Sequence, residues 1–235
     1  DDSIERRGFF SVYALWKNKA SVLVGDYLLA KGLLLSLEND DFQILKYLSD
    51  AVRQMSEGEL LQMEKSRSLN LNEDIYFEII KGKTASLLAS ACAAGGWSTS
   101  QNVETSERLR AFGEKVGIAF QIKDDLFDYT SQDVGKPTGN DIKEKKLTLP
   151  LIYTLNNVEK ETKRKLIYII KNENTRKAKV QYVIDVVEKN GGIEYTNQKM
   201  ANYKKEAIEL LHSFPSSDIR DGFEQLVNFV TDRKY

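Results

Sequence analysis

The chain has 235 residues and a mass of 26.8 kDa, enough for one large domain with a sizeable core. Its 34 Lys and Arg nearly balance 35 Asp and Glu, for a net charge of −1, and the basic residues are dispersed. That leaves no electrostatic footprint for nucleic acid. A single cysteine, Cys92, excludes an internal disulfide and suits a reducing, cytoplasmic setting. A single histidine, His212, argues against catalysis through a His-containing triad.

Taken in chain order, helical periodicity dominates and alternating strand patterns are nearly absent. Val12 to Leu37 reads as a long, largely buried helix. Its richest apolar stretch, Ala20 to Leu37, is broken by Asp26 and Lys31, so no run reaches the ~18 residues of a membrane span. No signal peptide is visible. A chain that opens on Asp1-Asp2 without Met reads as a fragment, in which case targeting information is lost with its start. Asp41 to Ser66 is a second helix, with Phe42, Leu45, Leu48, Val52, Met55 and Leu61 on its apolar side. Asn72 predicts an N-cap, and Glu73 and Asp74 fall in a first turn that favours negative charge. That helix runs to Lys81. Thr84 to Ala94 is a small-residue helix ending at Gly95-Gly96, and Thr105 to Asp128 is a long helix.

Thr130 to Lys146 contains Gly135 and Gly139 and reads as a polar loop able to fold over a ligand. A helix resumes over Leu147 to Leu155, with Pro150 tolerable only in its first turn. Four amphipathic helices come next, over 159–171, 176–189, 192–213 and 216–231. The expected architecture is all-α: one domain over 1–235, a bundle of roughly ten helices around a central cavity.

The Thr105–Asp128 helix carries the chemistry. Asp124, Asp125 and Asp128 crowd three carboxylates into five residues, with Gln121 one turn earlier on the same broad face. Acidic triplets on helices are usually solvated faces. Two details count against that here. The acids sit at the negative end of the macrodipole, where each loses roughly 0.3–1 kcal/mol instead of gaining it. Lys123, Lys136 and Lys146 lie near enough in sequence to reach an anion shared with a metal. Carboxylates with lysines make a site for Mg²⁺ and diphosphate. Gly113, Gly117, Gln121 and Asp125 also recur every four residues, and the Thr84–Ala94 helix repeats the pattern with Ser86, Ala89, Ser90 and Ala93. Such a stripe serves either close helix packing or a deep apolar cavity below a polar mouth.

The stretch Gly117-Ile118-Ala119-Phe120-Gln121-Ile122-Lys123-Asp124-Asp125-Leu126-Phe127-Asp128-Tyr129 resembles the second aspartate-rich motif of the trans-type polyprenyl diphosphate synthases. Gly135-Lys136-Pro137-Thr138-Gly139-Asn140-Asp141-Ile142 and Lys146-Leu147-Thr148-Leu149-Pro150-Leu151 are similar to the loop and helix start that succeed the motif in that family. Lys83-Thr84, Gly25-Asp26-Tyr27 and Gly58-Glu59-Leu60-Leu61-Gln62 match further family segments. The similarity runs to about residue 155. In that family Arg-Arg-Gly stands four residues after the first aspartate motif, as Arg6-Arg7-Gly8 stands after Asp1. The resemblance therefore makes Asp1 the last aspartate of that motif and puts the earlier ones, with N-terminal helices, upstream.

The resemblance implies a prenyltransferase that condenses isopentenyl diphosphate with an allylic prenyl diphosphate. Up to three Mg²⁺ ions would be held by Asp1, Asp124, Asp125 and Asp128. Arg6, Lys83, Thr84, Gln121, Lys136 and Lys146 would hold or orient the allylic group, and Arg7 would contact isopentenyl diphosphate. Lys83, Asp124 and Lys136 would carry catalysis. A homodimer, with peripheral membrane contact for product release, is expected on the same ground. The rivals are a terpene cyclase of the same fold and a non-catalytic subunit of a heteromeric synthase. The Lys83-Thr84 pair and the intact second motif argue against both.

Overall fold

The structure, a computed structural model, describes residues 4–6, 8–68, 72–129 and 139–233, with the backbone alone at 5, 6, 67 and 68. It divides into two compact units, 1–49 and 50–235. The first opens on an antiparallel hairpin of β1 (Glu5–Arg6) and β2 (Phe9–Phe10), in register Glu5 to Phe10 and Arg6 to Phe9. Two-residue strands are too short for any alternation to appear in sequence.

Helix α1 (Val12–Glu38) comes next, with the Ser11 side chain accepting the Ala14 N–H at 3.0 Å as its N-cap. Lys17 at φ 65° breaks its helical path. Its bounds match the sequence reading, but its burial does not. None of its residues is buried, and Val22, Leu23, Tyr27, Leu28, Leu34 and Leu35 are exposed. An apolar helix needs a cover, and periodicity cannot say whether that cover lies within the chain. Asp26 and Lys31 also interrupt it less than expected: by length and composition α1 could cross a membrane.

Helix α2 (Phe42–Ser68) leads into the second unit. There α3 (Glu73–Ile80) is capped by Asn72, which accepts the Ile75 N–H at 2.9 Å, as its sequence predicts. It passes without a break through a π-helical turn, Lys81–Ala85, into α4 (Ser86–Ser100). Gly95-Gly96 therefore does not end a helix. Gly96 lies inside α4, where a methyl would sit 2.6 Å from Leu109 Cδ1 and 3.4 Å from Ser106 Cα. The helix stops at Gln101, whose φ of 48° is left-handed.

Asn102 then caps α5 (Val103–Phe127), the central helix. Residues 140–146, expected as loop, include the short helix α6 (Asn140–Lys143). The last five helices are α7 (Leu149–Asn157), α8 (Lys160–Asn172), α9 (Lys177–Lys189), α10 (Gly192–His212) and α11 (Asp218–Asp232). Pro150 sits in the first turn of α7, where its missing N–H costs nothing.

The main core joins Ile118, Ile122 and Leu126 of α5 to Leu151 and Ile152 of α7, Leu166 and Ile170 of α8, and Val183 and Val187 of α9. Each such side chain contributes about 1.5–3 kcal/mol by burial. A second cluster packs Phe112 and Val116 of α5 on Ala207 and Leu211 of α10 and Val227 of α11. The glycine stripe proves to be packing. A methyl on Gly113 would lie 2.6 Å from the Leu88 carbonyl, and one on Gly117 would lie 2.6 Å from Ala85 Cα. Backbone meets backbone there, so no deep apolar cavity runs beneath those glycines.

Candidate active site

The π-helical turn lies where two glycines meet. A methyl on Gly58 of α2 would fall 2.7 Å from the Lys83 amide nitrogen, and one on Gly82 would fall 2.9 Å from the Gln54 carbonyl. Only bare backbone allows α2 to close on the turn. Widened turns of this kind recur at functional sites. This one carries Lys83 and Thr84.

From Thr84 a polar chain crosses to α5. The Thr84 hydroxyl donates to Gln121 Oε1 at 2.7 Å, and Gln121 Nε2 donates to Asp125 Oδ1 at 2.8 Å. From α3, the Tyr76 hydroxyl donates to Asp125 Oδ2 at 2.7 Å. Lys83 Nζ lies 3.1 Å from Gln62 Oε1 and 2.6 Å from Glu59 Oε2. Lys146 pairs with Glu144 and stands 3.8 Å from Asp141 Oδ1. Tyr76, Lys83, Thr84, Gln121, Asp125, Asp141 and Lys146 all line one cavity of about 90 Å³, with Gln62, Ser66 and Thr148 beside them.

The electrostatics of this cavity are those of an acid pair awaiting positive charge. Burial, and then the charge of Asp141, push the Asp125 carboxyl up to about 7, against the pull of its donors Tyr76 and Gln121. Burial, and then Asp128, push Asp141 up to about 6. Burial works to lower the Lys146 ammonium, but Glu144 and Asp141 outweigh it and hold the group above its usual range.

The other two aspartates of the motif point elsewhere. Asp124 forms an ion pair with Arg233, just beyond α11, whose guanidinium lies over the rings of Phe120 at 4.6 Å and Phe127 at 5.3 Å. Asp128 accepts the backbone N–H groups of Asn140 at 2.8 Å and Asp141 at 3.0 Å, and so caps α6. The structure thus brings together Lys83, Thr84, Gln121, Asp125 and Lys146, and sets Asp124 and Asp128 outside the cavity lining. Asp1, Arg7 and Lys136, and the side chain of Arg6, lie outside the described residues.

Among the described residues no three acids, histidines or cysteines converge as a ready-made metal site. The donor chemistry nevertheless fits Mg²⁺, which usually takes one or two carboxylates and completes its shell with water and phosphate oxygens. Asp124 and Asp128 are partly buried, whereas Asp125 is buried.

Sequence reasoning missed Tyr76, Asp141, Gln62 and Arg233 as site residues. Asp141 and Gln62 lie within matched segments, Asn140-Asp141-Ile142 and Gly58 to Gln62, and at Gln62 a polar side chain between Leu61 and Met63 was a usable signal. Tyr76 and Arg233 offered none, since their partners are 49 and 109 residues away.

The polyprenyl synthetase family model matches residues 1–187. The chain belongs to that family. It is 34% identical over 235 residues to the all-trans-nonaprenyl-diphosphate synthase (geranyl-diphosphate specific) of Rhodobacter capsulatus, spanning 99% of this chain and 71% of the relative. It is 30% identical to the octaprenyl diphosphate synthase of Escherichia coli, over 99% of this chain and 72% of that one. Among solved structures, a decaprenyl diphosphate synthase from Rhodobacter capsulatus superposes with a TM-score of 0.92 at 32% identity, covering all of this chain and 73% of its own. A polyprenyl synthase from Caulobacter crescentus, complexed with calcium and isoprenyl diphosphate, superposes at 0.89 with 34% identity, over 98% and 71% of the two chains. The fold is the all-α isoprenoid synthase fold, and the chain is a chain-elongating prenyltransferase. The family draws on isopentenyl diphosphate and allylic diphosphates, and is generally Mg²⁺-dependent.

Proposed function

We propose that this chain joins isopentenyl diphosphate to an allylic prenyl diphosphate, and that the diphosphate head of the allylic substrate sits at the mouth formed by Lys83, Thr84, Gln121 and Lys146. The observation that carries this reading is the convergence of those four residues, from the π-helical turn, α5 and the segment between α6 and α7, on one cavity with Asp125. Lys83 and Lys146 neutralise diphosphate charge as it grows on the leaving oxygen, and the spare N–H of Gln121 orients it. Asp124, with Asp1, would hold Mg²⁺ against the same diphosphate. Bound there, the ion would supply further charge stabilisation to the leaving group.

The C–O bond of the allylic substrate breaks with both electrons going to diphosphate. The isopentenyl double bond then attacks the allylic cation, a new C–C bond forms, and a proton leaves to the released diphosphate. No histidine is required, which agrees with a chain that holds only His212. Calcium and isoprenyl diphosphate in the Caulobacter relative support both a divalent cation and this substrate class.

We propose further that the apolar face of α1 is covered by a second copy, giving a homodimer. The test of the central reading is incubation of the protein with geranyl diphosphate, labelled isopentenyl diphosphate and Mg²⁺. Elongated prenyl diphosphate is expected. A cyclic hydrocarbon formed without incorporation of label would replace this reading with cyclisation. Activity only on adding a partner chain would replace it with a subunit role.

A further inference from the structure

We infer that Tyr76 and Asp125 form a positioning pair that sets the amide of Gln121, whose oxygen the Thr84 hydroxyl also holds, for the diphosphate; this rests on the elongation reading above. The donors in this network all run towards one acceptor. Thr84 donates to Gln121, Gln121 donates to Asp125, and Tyr76 donates to the other Asp125 oxygen. A glutamine amide is nearly symmetric in shape, so only its partners decide which end is oxygen. Here the carboxylate accepts from Nε2 and so forces Oε1 towards Thr84. One N–H of Gln121 remains for a ligand in the cavity that it lines.

Tyr76 supplies what Gln121 alone cannot. With Asp125 only 6% exposed, rotation of its carboxylate would give up the bond to Gln121. The Tyr76 hydroxyl, on a ring only 3% exposed, holds the second oxygen and stops that rotation. A phenol does so without cancelling the negative charge, as a lysine would. Asp125 therefore acts on the substrate through Gln121, and its two oxygens are engaged by Tyr76 and Gln121. This differs from the metal-holding role that the aspartate triplet suggests in sequence.

The test is a kinetic double-mutant cycle in the full natural chain with Mg²⁺, using Tyr76→Phe, Gln121→Ala and the double variant. Tyr76→Phe keeps the buried ring but leaves one Asp125 oxygen unpaired, so the thermal midpoint should fall by a few degrees while the protein stays folded. Loss of positioning should lower kcat about 10-fold or more, with KM for isopentenyl diphosphate within about 2-fold of the unaltered protein. Because Tyr76 acts through Gln121, the double variant should be no slower than Gln121→Ala alone. Asp125→Leu, similar in volume and unable to accept from either donor, gives a second probe, and it should match the Gln121→Ala defect while the protein stays folded. Unchanged kcat in Tyr76→Phe, or a double variant slower by the product of the two single effects, would overturn the inference while leaving elongation intact. An unaltered chain that elongates nothing would overturn the inference and the reading beneath it together.

Discussion

Gly58 and Gly82 cross so closely that a side chain on either would strike the other's backbone. A methyl on Gly58 would come within 2.7 Å of the Lys83 nitrogen and 3.1 Å of the Gly82 carbonyl carbon. This crossing holds the π-helical turn that presents Lys83 and Thr84. Gly58→Ala should therefore cost about 1–3 kcal/mol by overpacking, read as a lower urea midpoint at unchanged slope. It should also slow elongation more than its stability loss explains, since the clash falls on Lys83 itself. A variant as stable and as fast as the parent would show that the turn does not depend on this contact.

Asp124 and Asp128 belong to one motif but should fail differently when truncated. The Asp124–Arg233 pair is partly exposed, and such pairs contribute roughly 0–1 kcal/mol. Asp124→Ala should thus leave the unfolding midpoint nearly unchanged while cutting turnover by about 10²-fold or more, as expected for loss of a group that stabilises leaving-group charge. Asp128→Ala removes the acceptor for two backbone N–H groups at the start of α6. It should cost about 1 kcal/mol, typical of a lost N-cap, and speed amide exchange over residues 140–143. Paired kinetic and unfolding measurements check both. Equal stability loss in the two variants would contradict the division of labour.

Lys83→Ala should behave like Asp124→Ala. Its ammonium is held at the cavity by Gln62 and Glu59, at 3.1 and 2.6 Å, on a surface-accessible site. The fold should persist, and kcat should drop about 10²-fold or more. Near-normal elongation by this variant would remove Lys83 from the diphosphate grip.

Much of this was legible in the sequence. The helical period gave the helices, and Asn72 and Pro150 mark helix starts in agreement with the structure, whereas the cap at Asn102 lies ahead of the expected start at Thr105. Residues seven or fewer apart, such as Gln121 and Asp125, could be joined by helical spacing alone. What stayed hidden depends on contacts across the fold. Gly95-Gly96 has the composition of a helix end, yet α4 runs on to Ser100 with Gly96 packed against Leu109, which no local pattern links to it. The glycines below Gln121 could have bounded a cavity or a contact, and only the position of Ala85 decides. Tyr76 carries no local sign that its hydroxyl meets Asp125. The apolar face of α1 was visible, but what covers it lies beyond the reach of periodicity.

That face makes its own prediction. Leu28 and Leu35, seven residues apart and 63% and 58% exposed, lie on one side of α1. If a second copy covers this side, sedimentation of the unaltered protein should give a dimer at micromolar concentration. Leu28→Glu with Leu35→Glu should give a monomer, because burying two carboxylates against apolar surface is strongly unfavourable. A monomer that floats with lipid vesicles, and loses that property in the same double variant, would assign the face to a membrane.

The most direct measurement is product analysis. The full natural chain should be incubated with Mg²⁺, geranyl diphosphate and labelled isopentenyl diphosphate, and the hydrolysed products resolved by chromatography. The expected result is a set of labelled, acyclic prenyl alcohols longer than geraniol, lost when the metal is chelated and restored when Mg²⁺ is returned. Unlabelled cyclic products, or no incorporation of label under any metal condition, would contradict chain elongation at the Lys83–Gln121–Asp125 site.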